Sequence, residues 1–133
     1  MRKVLIAGAA VEPFGKRVGD NVAEIGGRCL QALLRDSGVA PEEVEAGIVG
    51  SVYGGSLIAQ RVMQYGAISG PPVFTVENAC ASGGTAVHLA WQAVAAGTYE
   101  CVAVVGVDQL SVFGGGALPV SYTHLRAHET GRN

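Results

Sequence analysis

The stretch that decides the reading is "TVENACASGGTAVHLAWQA", residues 75–93. It runs from a β-branched, strand-like segment into an apolar helix, and a single cysteine, Cys80, stands at the junction. Ala81, Ser82, Gly83 and Gly84 follow it, all of them small. A cysteine kept only for packing usually sits among bulky apolar partners. Small residues instead leave room for something to approach the sulfur. A strand-to-helix junction also offers the positive end of a helix dipole and free first-turn N–H groups. These favour a thiolate and can donate to a developing oxyanion. Cys80 is therefore a candidate nucleophile toward a carbonyl carbon. The residue types alone leave a second reading open, in which Cys80 is a small buried hydrophobe.

Outward from this junction the chain alternates between two kinds of apolar pattern. "KVLIAGAA" (3–10) is a continuous apolar run of the kind seen in strands covered on both faces. From Asn21, "NVAEIGGRCLQALLRDSGV" places Val22, Ile25, Cys29, Leu30, Leu33 and Leu34 at helical spacing, and Gly38 is its stop. Gly26 and Gly27 weaken that helix locally, which close packing on a neighbouring element would offset. "APEEVEAGIVGSVYGG" reads as an acidic helical turn and then a buried strand near Ala46 to Val52. "LIAQRVMQYGAIS" reads as a helix, "GPPVFTVEN" as a third strand, the segment from Cys80 to about Ala96 as a helix, and "ECVAVVGVDQLS" as a fourth strand. Alternation at these lengths predicts an α/β fold with parallel pairing and crossover helices.

Composition narrows the function. With 49% apolar residues, 20 glycines and only 15% charged residues, the chain fits a buried α/β sheet rather than a disordered segment. A net charge of -2 gives no basic footprint for nucleic acid. Cys29, Cys80 and Cys101 are an odd number at wide spacings, without a CxxC pair or metal-ligand spacing, and predict a reducing, cytoplasmic setting. Cys29 on a helix face and Cys101 at a strand start read as core. No stretch approaches the roughly 18 to 20 apolar residues of a membrane span. "FGKRVGD" (14–20) lacks the glycine spacing of a phosphate loop, and "GGG" (114–116) reads as a flexible connection.

"VENACASGG" (76–84) resembles the nucleophile motif of thiolases. The resemblance extends through "VLIAGAAVEPFGK", "AGIVGSVYGG" and "VAVVGVDQLS", about residues 3 to 112, and is closest to the sterol-carrier-protein-type branch. It implies a thiolase-like fold of which this chain holds an incomplete N-terminal half, with a mixed or parallel sheet and a buried nucleophile helix. It also implies that Cys80 takes an acyl group from acyl-CoA, and that 3-ketoacyl-CoA is then made or cleaved. Coenzyme A thioesters would be the substrates, with no permanently bound cofactor and no metal. A homodimer or homotetramer is implied for the full-length protein. The family's Gly-His-Pro and Cys-x-Gly motifs are absent, and His88, two helical turns past Cys80, stands in neither; the chain alone is expected to be inactive. "NAC" followed by "GGT" keeps a related condensing enzyme open, of ketoacyl synthase or hydroxymethylglutaryl-CoA synthase type. A non-catalytic CoA-binding subunit is the reading from another class.

"PVSYTHLRAHETGRN" (119–133) changes character abruptly. His124 and His128 have the i, i+4 spacing of a metal pair on a helix, but no third ligand stands in a plausible relation to them. Residues 120–130 resemble the translation of a transposase-type sequencing adapter. The expected division is thus 1–118 as a partial thiolase N-terminal domain and 119–133 as a non-native, adapter-derived tail.

Overall fold

A computed structural model describes residues 1–15, 17 and 19–110. The tail boundary, the glycine run 114–116 and the His124/His128 pair lie outside the described residues, as do two positions of the 14–20 segment.

The first helix, α1 (Val22–Ser37), begins where Asn21 holds an extended conformation and its side chain accepts from the Ala23 N–H at 2.9 Å. It stops at Gly38, whose φ of 70° is the left-handed conformation and whose N–H donates to the Leu34 carbonyl. A 3-10 turn at Pro41–Glu43 leads into β1 (Ala46–Gly50). Then come α2 (Ile58–Tyr65), β2 (Val73–Val76), α3 (Ser82–Ala96) and β3 (Val102–Gly106).

The three strands form one parallel sheet in the order β2-β1-β3, with Gly47 opposite Val73 on one side and opposite Ala103 on the other. β1 is central and buried along its whole length, which its uninterrupted apolar pattern predicts. Successive residues point to opposite faces. Val49 therefore joins Leu30, Ile58, Val62 and Val105 in one core, whereas Ile48 joins Ala86 and Ala90 of α3 in the other. The result is a sheet between α1 and α2 on one face and α3 on the other. Burying Leu30, Ile58, Val49 or Val62, all fully covered, contributes about 1.5–3 kcal/mol each.

Gly26 and Gly27 of α1 meet α2. A Cβ at Gly26 would lie 2.8 Å from Val62 Cγ2, and one at Gly27 would overlap the Tyr65 Cβ and come within 2.8 Å of the Tyr65 carbonyl carbon. The two glycines cost helix propensity but let the helices touch.

The segment 3–10 forms no strand. Leu5 is 73% and Ile6 88% exposed. The segment is tied down by the Arg2 N–H to the Ala95 carbonyl, the Ala9 N–H to the Asp36 carboxylate at 2.9 Å, and the Cys29 thiol to the Ala10 carbonyl at 3.5 Å. An apolar β-rich run becomes a strand only where a neighbour offers a ladder, and none of the three strands pairs with it.

Gly27→Ala is expected to lower stability by about 1–3 kcal/mol through overpacking against Tyr65. Gly84→Ala, where a Cβ would meet nothing within 4 Å, is expected to be neutral or to stabilise by up to about 1 kcal/mol. Urea unfolding of the two variants checks the contrast.

Candidate active site

Because the sheet is parallel, Gly50, Val76 and Gly106 end their strands at one edge. Ligand sites of open α/β sheets lie outside that carboxyl edge. From Val76 the chain passes through Glu77, Asn78, Ala79, Cys80 and Ala81 and enters α3 at Ser82. The first turn of α3 sits directly on the strand ends. A Cβ at Gly50 would lie 2.5 Å from the Ser82 carbonyl oxygen and 2.7 Å from the Gly83 nitrogen, and a Cβ at Gly106 would lie 3.5 Å from the Gly83 Cα. At Gly50 only backbone fits against the helix start. At Gly83 a Cβ would make just an ordinary contact, 3.8 Å from the Gly106 Cα, and Gly84 faces open space.

The turn that carries Cys80 is tightly specified. Ala79 holds a φ of 47°, a conformation uncommon for a residue with a Cβ. Around it the Ala81 N–H donates to the Asn78 carbonyl at 2.9 Å and the Ser82 N–H to the Ala79 carbonyl at 3.2 Å. The Asn78 Nδ2 donates to Thr85 Oγ1 at 2.9 Å, and the Ala79 N–H to Glu77 Oε1 at 2.9 Å. The first helical bond accepted at Ala81 comes from Thr85. The turn therefore uses the amides of Ala81 and Ser82, and those of Gly83 and Gly84 come next along the first turn of α3. Cys80 itself is exposed. The reading of Cys80 as a buried hydrophobe does not match this placement.

Across the same edge, Asp108 follows β3 and reaches back to the loop after β1. Its carboxylate accepts from Ser51 Oγ at 3.0 Å, from the Val52 N–H at 3.1 Å and from the Tyr53 N–H at 2.8 Å. The buried Ser51 hydroxyl in turn accepts from the Gly54 N–H at 3.0 Å. The sequence reading did not single out Asp108 or the inward hydroxyl of Ser82. An acid placed directly after an apolar strand was the available signal for the first.

The other candidates lie apart from the junction. Cys29 and Cys101 are half-buried, Cys101 against the larger core and Cys29 with its thiol on the Ala10 carbonyl. His88 is exposed on α3 and stacks on Trp91 with ring centroids 5.9 Å apart. It belongs with Val87, Leu89 and Trp91, which leave the outer side of α3 apolar and open, while Ser82, Ala86 and Ala90 face the sheet. Among the described residues no helix is long and apolar enough to cross a membrane.

The N-terminal domain model of thiolase matches residues 4–120. The chain belongs to the thiolase family. It is 32% identical over 113 residues to sterol carrier protein 2 of Gallus gallus, a match covering 83% of this chain and 21% of that protein. It is 38% identical over 107 residues to an acetyl-CoA acetyltransferase of Thiocystis violacea, covering 77% of this chain and 27% of that one. This thiolase chain thus spans about a quarter or less of the relatives it matches. In fold it is similar to 3-oxoacyl-[acyl-carrier-protein] synthase III from Aquifex aeolicus VF5. The TM-score there is 0.66 at 21% identity, over 70% of this chain and 31% of that one.

Burial, then the charges of Glu43 and Glu45, push the Cys101 thiol above its ordinary value. The folded chain therefore keeps this proton to higher pH than the unfolded chain. The associated stability is complete below the unfolded value and is lost as pH rises through the folded one. Denaturant titrations from about pH 8 to 10 are expected to show a shallower alkaline loss of stability in Cys101→Ala than in the wild type.

Proposed function

We propose that the protein to which this chain belongs is a thiolase-type acyl-CoA acyltransferase with Cys80 as nucleophile. The observation that carries the reading is an exposed cysteine on a constrained turn, at the start of a helix seated on the carboxyl ends of parallel strands, in a chain of the thiolase family. Cys80 Sγ bonds to the acyl carbonyl carbon, the bond from that carbon to the CoA sulfur breaks, and CoA leaves as the thiol with a proton. Exchange between thioesters is nearly isoenergetic, so the acyl group stays activated on the protein. A second acyl-CoA, deprotonated at its α-carbon, then attacks to give 3-ketoacyl-CoA and releases Cys80; thiolysis is the reverse. CoA thioesters are substrates, and the chemistry calls for no resident cofactor.

The chain alone supplies the nucleophile without the family's Gly-His-Pro and Cys-x-Gly motifs. We therefore read it as inactive by itself, and the complete protein as a homodimer or homotetramer of the cytoplasm. In the same reading, residues 119–133 derive from an adapter. Adapter-free long reads across the codons for Leu118 to Asn133 are expected to show a frame that continues into those motifs; a genomic "VSYTHLRAHETGRN" followed by a stop sinks this part.

Mass spectrometry of the complete protein with acetyl-CoA is expected to find an acetyl adduct on Cys80, absent in Cys80→Ala. A folded, CoA-binding wild type without the adduct would favour a non-catalytic CoA-binding subunit. The fold shared with 3-oxoacyl-[acyl-carrier-protein] synthase III favours a condensing enzyme as the second reading. Transfer of the Cys80 acetyl group to an acyl thioester held on a carrier protein, and not to a second acetyl-CoA, would select the ketoacyl synthase type.

A further inference from the structure

We infer that Ser82 is a positioning residue for Cys80; the inference rests on the nucleophile reading above. The Ser82 side chain is turned inward, 4% exposed. Its hydroxyl does two things at once. It donates to the Ala79 carbonyl at 2.7 Å and accepts from the Asn78 N–H at 2.8 Å. The two partners are the N–H of Asn78, one residue earlier, and the carbonyl of Ala79 itself, the residue held at a φ of 47°. Cys80 is the next residue in the chain. The backbone hydrogen bond from Ser82 N–H to the Ala79 carbonyl exists as well, but it leaves the Asn78 amide unserved. The Ser82 hydroxyl is what that amide donates to.

The physical consequence follows from conformational preference. A residue with a Cβ leaves the left-handed region unless its surroundings over-determine it. Removing the hydroxyl strips one acceptor from Asn78 and one donor from Ala79 in a part-buried place. Relaxation of Ala79 to a common conformation then swings Cys80 relative to the amides of Gly83 and Gly84. Ser82 thus never touches an acyl group. It sets where the sulfur stands with respect to the helix start.

The test measures acetylation of Cys80 by acetyl-CoA in the complete protein, with iodoacetamide labelling of Cys29 and Cys101 read in the same sample. In Ser82→Ala, Cys80 acetylation is expected to slow by about tenfold or more, a cost in keeping with a small displacement of a reacting group. Labelling of Cys29 and Cys101 is expected to stay at the wild-type rate, because both stand away from the turn, Cys29 in α1 and Cys101 just before β3. A general loosening would instead accelerate both and overturn the inference. Ala79→Gly in the Ser82→Ala background removes the cost of the left-handed conformation, and is expected to recover much of the lost rate. It also serves as the folded variant if Ser82→Ala alone does not fold. A double variant as slow as Ser82→Ala, or a Ser82→Ala protein as fast as the wild type, overturns the inference. A wild type that takes no acetyl group on Cys80 overturns the nucleophile reading itself, which separates the two failures.

Discussion

Backbone meets backbone where α3 begins. Gly50 at the end of β1 and Gly106 at the end of β3 leave no Cβ between the sheet and the first turn of α3, and Gly83 leaves none on the helix side. This contact brings the helix start down onto the carboxyl edge, so that the turn before it has to rise out of the edge strand β2 and double back within five residues, Glu77 to Ala81. The left-handed Ala79 is the local cost of that path, of order 1–2 kcal/mol, and the hydrogen bonds of Asn78, Ser82 and Thr85 hold it. The exposure of Cys80 is a result of the same path. A larger residue at position 50, where a Cβ would lie 2.5 Å from the Ser82 carbonyl oxygen, would lift the helix from the sheet and carry the thiol with it.

The two faces of the sheet divide the work. On the side of α1 and α2, large side chains such as Leu30, Ile58 and Val62 fill a continuous core. On the side of α3 the contact is made by Ile48, Ala86 and Ala90, and alanines keep the helix close. Dispersion and burial on the first face supply most of the stability, whereas the second face sets the distance between helix and strands. That division lets the junction tolerate a strained residue without the fold depending on it.

Much of this was legible from side-chain pattern. The uninterrupted apolar run at Ala46 to Gly50 marked a strand covered on both faces, and Asn21 and Gly38 marked the ends of α1 because capping chemistry is local. Gly26 and Gly27 announced a close helix pair. The segment 3–10 carried the same apolar signal as β1 and yet stays unpaired, because pairing is decided by a neighbouring ladder and not by the segment's own residues. At the site, Cys80 stood out through its small neighbours. Ser82 and Asp108 did not, since a serine in a helix and an acid after a strand are ordinary in sequence and acquire meaning only from the groups they reach.

Asp108 adds a constraint in time. Its carboxylate is the acceptor that gathers Ser51, Val52 and Tyr53, and it is more than fifty residues further along the chain. During synthesis, which proceeds from the N-terminus at about 5–20 residues per second, α1, β1 and α2 emerge with the loop after β1 still lacking that acceptor. Only when β3 has left the ribosome and taken its place beside β1 does the loop find its anchor. The loop after β1 is thus made early in synthesis and ordered late, when the carboxylate beyond β3 reaches it.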